Sequence, residues 1–347
     1  MYDSLWEPFA FGRGDVTARN RTFMGPMTLA TAEPDGRLND WIVSWYQARA
    51  KGGVGTIIGA AAAVHASGFG WPNAMTIHTD DHIDGWKRCV DAAHAEGVLF
   101  GTQLYHSGAA SHDALLGHTP ICPSAWKRDG FDPARAMTVD EILTVIDAFA
   151  QGAKRSLDAG CDFVELHGAH GYLLHQFWRR DVNRRDDVWG HPTYFAEEVV
   201  KAVRSVVGDR VPIMYRFSIH SDDPAASDEP VTPDSLAEYL KALEVAGVDV
   251  WDISCWRESR RGYLGTTTLL PEWVRRTSSL PRVVAGNFLS PDGAAEYCES
   301  GYAEGIALAR GLISDASWCE RARVGDAYRP YEDADLQVLR NGVDPGV

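Results

Sequence analysis

Short runs of β-branched and apolar residues alternate along the chain with longer stretches in which apolar positions recur three and four apart. This alternation predicts parallel strands joined by amphipathic helices. The strand-like runs are RTFMGPM (21–27), VGTIIGA (54–60), VLFGTQLY (98–105), DFVELH (162–167), VPIMYRF (211–217), VDVWDIS (248–254), RVVAG (282–286) and EGIALA (304–309). Helical spacing is clearest over 84–97, 139–160, 194–208 and 234–248. Thr138, three residues ahead of Glu141, reads as a capping box, and Thr232 followed by Pro233 marks another helix start. Gly97, Gly160, Gly208 and Gly247 stand where helices should stop. Eight strand–helix units imply an α/β protein built as a (β/α)8 TIM barrel, with its chemistry at the carboxyl ends of the strands.

Nothing in the pattern divides this barrel. The chain has no Pro/Gly/Ser-rich linker and no repeat, so a single domain over 1–347 is expected, with a barrel core at about 21–325 and long βα loops at 106–137, 168–192 and 218–231. Against 48 Asp and Glu stand 33 Lys and Arg, a net charge of −15 that would repel a phosphate backbone and an anionic bilayer, so neither nucleic acid nor membrane is expected as a partner. No apolar run approaches the roughly 20 residues of a spanning helix, and the start MYDSLWEPF lacks the basic-then-apolar order of a signal peptide. A cytoplasmic location is the expectation. Cys89, Cys122, Cys161, Cys255, Cys298 and Cys319 form no CxxC pair, so they read as scattered reduced thiols and no metal is expected.

With a barrel, the residues at strand carboxyl ends are Pro26, Met27 and Thr28; Ala60 and Ala61; Gln103, Tyr105 and His106; His167, His170 and Tyr172; Arg216; Gly286 and Asn287; Ala309 and Arg310. They contain no carboxylate pair for general acid and nucleophile. The densest chemistry is His167-Gly-Ala-His170-Gly-Tyr172, two imidazoles and a phenol within six residues. Three readings compete for it. A zinc site lacks the HExxH spacing and a third ligand; the histidines could be satisfied within a loop; a polar clamp for an oxyanion takes the remaining and larger weight. Arg216, in MYRFS, places a permanent cation at the mouth for either an internal salt bridge or an anionic ligand. Gly286-Asn287 and Arg310 fit the phosphate site that such barrels build from their last two βα loops.

LWEPF, NRTFMGPMT, RAKGGVGTII, TQLYHSG, DFVELHGAHGYLLHQF, NRRDD, YRFS, AGNF and ALARGLISD run in one order across roughly residues 5–315. In these motifs the chain resembles the Old Yellow Enzyme family of flavin mononucleotide (FMN)-dependent ene-reductases, including its 2,4-dienoyl-CoA reductase-like and amine-dehydrogenase-like branches. The resemblance implies tightly bound, non-covalent FMN, with Pro26, Met27, Thr28 and Ala61 along the flavin and the Thr28 hydroxyl at its C4 carbonyl. It implies Gln103 at the pyrimidine edge, Arg216 near N1 and the C2 carbonyl, and Gly286, Asn287, Ala309 and Arg310 at the phosphate. His167, also a cofactor contact, and His170 would hold the substrate's carbonyl or nitro oxygen, and Tyr172 would protonate the adjacent carbon. The implied activity is hydride transfer from NADPH or NADH, through FMN, to the C=C of a small electron-poor alkene such as an α,β-unsaturated carbonyl compound.

Rival readings are an FMN-dependent amine dehydrogenase or demethylase, a non-catalytic flavin-binding protein, and a flavin-free barrel lyase. Three departures from the family pattern bear on substrate choice: Ala109 where Arg is usual, Ala309 where Gly is usual, and Val188-Trp189-Gly190-His191 after NRRDD. The resemblance also allows a homo-oligomer. Arg340 could reach a neighbouring subunit, although a solvated tail charge is the simpler reading.

Overall fold

Each of the eight strand-like runs forms a strand, and the strands pair in parallel and in chain order until the last returns to the first. The computed structural model describes residues 2–219, 231–255 and 268–347. The strands are β1 (Thr22–Met24), β2 (Thr56–Ala63), β3 (Leu99–Tyr105), β4 (Phe163–Gly168), β5 (Ile213–Phe217), β6 (Val250–Ser254), β7 (Arg282–Ala285) and β8 (Gly305–Leu308). Around them lie α1 (Asp40–Lys51), α2 (Ile83–His94), α3 (Val139–Asp158), α4 (Tyr194–Val207), α5 (Pro233–Ala246), α6 (Leu270–Thr277), α7 (Pro291–Glu299) and α8 (Trp318–Val324). This is the expected TIM barrel.

Period-two alternation sorts each strand's side chains between two cores. Val164, Leu166, Tyr215, Phe217, Trp251 and Ile253 belong to the large cluster shared with the helices. Phe23, Ile58, Phe163, Met214, Val250, Val283 and Ala307 come from seven different strands into one separate cluster, which can only lie inside the barrel. An N-terminal hairpin, Phe9–Ala10 paired with Thr17–Ala18, closes the amino-terminal end of that interior. Its Phe11 and Phe9 rings sit 5.0 Å from Phe163 and 4.9 Å from Phe23. Two residues further along β4, β5 and β6 the inner wall turns from Phe163, Met214 and Val250 to Glu165, Arg216 and Asp252. The apolar plug therefore supports a charged belt.

The helix signals hold in detail. Thr138 Oγ1 accepts from the Glu141 N–H at 3.2 Å while Glu141 Oε2 accepts from the Thr138 N–H at 2.9 Å, a reciprocal cap worth about 1 kcal/mol. Thr232 caps α5, with Pro233 at its first position. Boundaries differ where the sequence offered no sharp stop. β1 ends at Met24, not 27, because Gly25 bonds to the Leu308 carbonyl and Pro26, lacking an N–H, cannot extend the ladder. α2 and α3 end before Gly97 and Gly160, which complete the following turns at φ +68° and +93°. The loop at 106–137 contains a four-residue helix, Asp113–Leu116, and the paired strands Ile121–Cys122 and Arg135–Ala136, all too short for periodicity to reveal. Most of the expected loop at 218–231 lies outside the described residues. All six cysteines are buried free thiols. Among the described residues no helix is long and apolar enough to cross a membrane.

Candidate active site

β4 delivers His167 to the carboxyl-terminal mouth, and the chain then turns sharply. His170 adopts φ +59°, a left-handed conformation costing about 1 kcal/mol or more for a side chain with a Cβ. The turn brings the His170 ring back to 5.0 Å from that of His167, at 85°. Tyr172 follows, its ring 5.0 Å from His167 at 83°. The backbone N–H of His170 donates to Ser218 Oγ at 3.1 Å, and its Nε2 lies 2.8 Å from Ser254 Oγ. His167 Nδ1 accepts from the Ala169 N–H at 3.3 Å, so the ring proton sits on Nε2, which makes that atom the donor. Burial first, with smaller contributions from Arg216 and the neighbouring imidazoles, pushes both rings well below their usual 6.5. Both are neutral hydrogen-bond donors at neutral pH.

Gln176 fixes this turn from beneath. It is fully buried; its Nε2 donates to the carbonyls of Ser107, at 3.1 Å, and Gly171, at 2.7 Å, while its Oε1 accepts from the Ala109 N–H at 3.1 Å. The loops after β3 and β4 are thus tied together through one side chain. An aromatic wall stands beside Tyr172: Trp71 stacks on Tyr105 at 5.2 Å, and Tyr105 meets Tyr172 edge-on at 5.5 Å. Ala61, on β2, packs into the same cluster.

Across the mouth, a cavity of about 410 Å³ is lined by His170, Arg216 and Ser254 at one end and Asn287 and Arg310 at the other. Its floor is Ala285, Gly286, Ala307 and Ala309, residues with no side chain beyond Cβ. A volume of this size lies within the range of cofactor sites. Arg310 Nη1 donates to Asn287 Oδ1 at 2.6 Å, which places a cation and an amide together. Arg216 Nη1 donates to Asp252, and its Nη2 to Ser254 Oγ at 3.3 Å. The donor set fits a ligand with an anionic group at one end and a flat, carbonyl-bearing body at the other, and FMN is such a ligand.

Most of the residues expected at the site converge: His167, His170, Tyr172, Arg216, Gly286, Asn287, Ala309 and Arg310 share the mouth, with Gln103 beneath it. Pro26 and Thr28 stand on the loop after β1, whereas the Met27 side chain packs onto the outer core. His106 does not face the mouth. It is buried with Nε2 2.9 Å from Ser67 Oγ, and burial lowers its pKa to about 3. Of the departures, Ala309 has φ −127°, so its methyl imposes no left-handed strain. Ala109 is fully buried against Cys122, Ala134 and Trp126, a pocket shaped for a methyl group. Trp189 is buried 5.0 Å from the Tyr194 ring, anchoring the altered loop to α4. Glu165, Asp252, Ser254, Gln176 and Trp71 went unnoticed in the sequence. Inward strand parity would have found the first three; nothing local marks the other two.

A parallel eight-stranded barrel thus joins, at one mouth, a neutral His/His/Tyr cluster and a cationic cleft of cofactor size. The chain belongs to the NADH:flavin oxidoreductase / NADH oxidase family, whose pattern matches residues 4–328. It is 31% identical to the NADH oxidase of Thermoanaerobacter brockii over 91% of this chain, and spans 50% of that protein's length. With the probable NADH-dependent flavin oxidoreductase YqiG of Bacillus subtilis it shares 30% identity, covering 93% of this chain and 89% of the relative. The fold superimposes on the Old Yellow Enzyme homologue of Zymomonas mobilis with a TM-score of 0.84 at 26% identity, over 96% of both chains.

Proposed function

We propose that this protein reduces the activated C=C bond of a small α,β-unsaturated carbonyl or related compound with hydride from NADPH or NADH, using FMN held non-covalently in the barrel mouth. The observation that carries the proposal is the placement of two neutral imidazoles and a phenol, with ring centres about 5 Å apart, beside a cleft suited to FMN. When bound, FMN supplies a carrier that accepts hydride from the nicotinamide and passes it to the alkene.

The remaining work falls to side chains. His167 Nε2–H and an N–H of His170 point donors at one substrate oxygen, where negative charge grows as the β-carbon gains hydride. Tyr172 presents a phenolic O–H that can deliver a proton to the α-carbon. The Trp71–Tyr105 wall supplies a flat apolar surface that orients a conjugated substrate and excludes water from this side. Gln103 and Arg216 would meet the pyrimidine edge of the flavin, Pro26, Thr28 and Ala61 its ring, with Met27 reaching it through backbone alone, and Gly286, Asn287, Ala309 and Arg310 its phosphate. Arg216 would favour electron uptake by opposing the negative charge gained there.

The test is the visible spectrum of the purified protein, followed by anaerobic reduction with NADPH or NADH and mixing with cyclohexenone. A yellow protein that bleaches and then recovers its colour on mixing supports the proposal. A protein that bleaches and stays bleached points to an amine dehydrogenase, and a colourless protein with no affinity for added FMN refutes any flavin role.

A further inference from the structure

The charged belt inside the barrel holds two carboxyl groups against one guanidinium. Glu165 and Asp252 are each 0% exposed. Asp252 Oδ2 accepts from Arg216 Nη1, and Glu165 Oε1 accepts from Gln103 Nε2 at 2.7 Å. The other two oxygens, Glu165 Oε2 and Asp252 Oδ1, are buried with no donor among the described residues, while the two carboxyl groups stand in hydrogen-bond contact with each other. Two ionised carboxylates in that contact would repel, and each would keep a desolvated oxygen with nothing to accept. A single proton between them turns two orphaned acceptors into a donor and its acceptor.

We propose that Glu165 and Asp252 hold one proton between them, so that with Arg216 they form a neutral unit which sets the charge presented to the ring end of the cofactor cleft. The consequence for the cofactor rests on the reading that FMN binds there; the shared proton does not. The groups facing Glu165 are Gln103 on β3, Arg216 on β5 and, one strand further, Asp252 on β6. Burial first, then Asp252, raises the Glu165 carboxyl well above the usual carboxylate range, and Arg216 and Gln103 oppose the rise without reversing it. The proton therefore resides mainly on Glu165, and Asp252 is the anion that pairs with the guanidinium. Without that proton the unit would carry one net negative charge and resist electron uptake by a neighbouring flavin. With both carboxyls neutralised it would carry one net positive charge and promote it. Glu165 thus acts on the cofactor through Asp252 and Arg216.

Infrared spectroscopy and potentiometry on the intact protein test this. The wild type should show a carboxylic-acid C=O band at neutral pH that disappears in Glu165→Gln, with or without bound FMN. In Glu165→Gln, whose amide mimics the protonated acid in charge, the preference for reduced over oxidised FMN should change less than threefold. In Glu165→Gln/Asp252→Asn it should rise at least tenfold, about 30 mV upward for a two-electron couple. If Glu165→Gln does not fold, Gln103→Leu, which removes the donor to Glu165 Oε1, must shift the band instead. Absence of the acid band, or a tenfold rise in Glu165→Gln alone, overturns the proposal. Protein that keeps the band but binds no FMN refutes the function proposed above and leaves the shared proton standing.

Discussion

His167 and Tyr172 meet edge to face across the turn that carries His170, their ring centres 5.0 Å apart. The arrangement separates two jobs that one side chain cannot do together: an imidazole N–H stabilises charge on the substrate oxygen, and the phenol holds a proton for the carbon beside it. Tyr172→Phe removes only the second. Alkene turnover should fall about 100- to 10,000-fold while reduction of the bound flavin by nicotinamide keeps its rate. Stopped-flow absorbance of the two half-reactions measures both, and an equal loss in each would assign Tyr172 a structural part.

His170→Ala removes a donor from the oxyanion position and should slow the alkene half-reaction by roughly 100-fold, about 3 kcal/mol of barrier. Because the residue at 170 sits at φ +59°, His170→Asn, which tolerates that conformation and keeps an N–H donor, should recover part of the rate. Recovery by Asn and not by His170→Gly, which accepts the same φ but has no side-chain donor, separates hydrogen bonding from backbone strain.

Arg310 and Asn287 stand together at the end of the cleft assigned to the phosphate, 2.6 Å apart through Nη1 and Oδ1. Losing one charge-assisted bond to a phosphate costs about 1.5–3 kcal/mol, so Arg310→Ala should weaken FMN binding roughly 10- to 100-fold. Quenching of flavin fluorescence gives the Kd directly. An unchanged value would place the phosphate elsewhere.

Gln176→Ala takes one donor from each of two buried carbonyls, which keep Ala110 N–H and Arg128 as partners, and leaves the buried Ala109 N–H without its acceptor. The expected loss is about 2–4 kcal/mol of stability, read from urea unfolding, with alkene turnover falling further than flavin reduction because the turn carrying Tyr172 loosens. A stability loss that leaves the ratio of the two half-reactions untouched would show that Gln176 does not position the tyrosine.

Acid should destabilise the fold through its buried imidazoles. The His106 pKa falls from 6.5 to about 3, chiefly by burial. Below 6.5 the unfolded chain binds a proton that the folded one refuses, so stability is full above that pH and declines as pH drops toward the folded value. The loss is about 1.4 kcal/mol per pH unit from this residue. His167 and His170, shifted the same way, add to it. Denaturant midpoints measured from neutral pH down to about two units below should fall steadily; a level or rising series would mean that these rings are charged in the native state.

Eight strands, four of the helices, the barrel and the rank of β4 as the chemical strand were written in local patterns, because strand parity, helix periodicity and capping act over a few residues. The HGAHGY motif and the Arg216, Asn287 and Arg310 positions were legible for the same reason: a barrel sends every strand end to one face. What the tertiary structure decided lies between strands. Glu165 and Asp252, 87 positions apart, become one carboxyl pair only because β4 and β6 curve toward a common axis. Gln176 becomes a strut only where two long loops cross, and His106, one residue past β3, turns outward to Ser67 instead of into the mouth. A local pattern states which way a side chain leaves its strand; what it then meets depends on closure of the ring, which no single segment encodes.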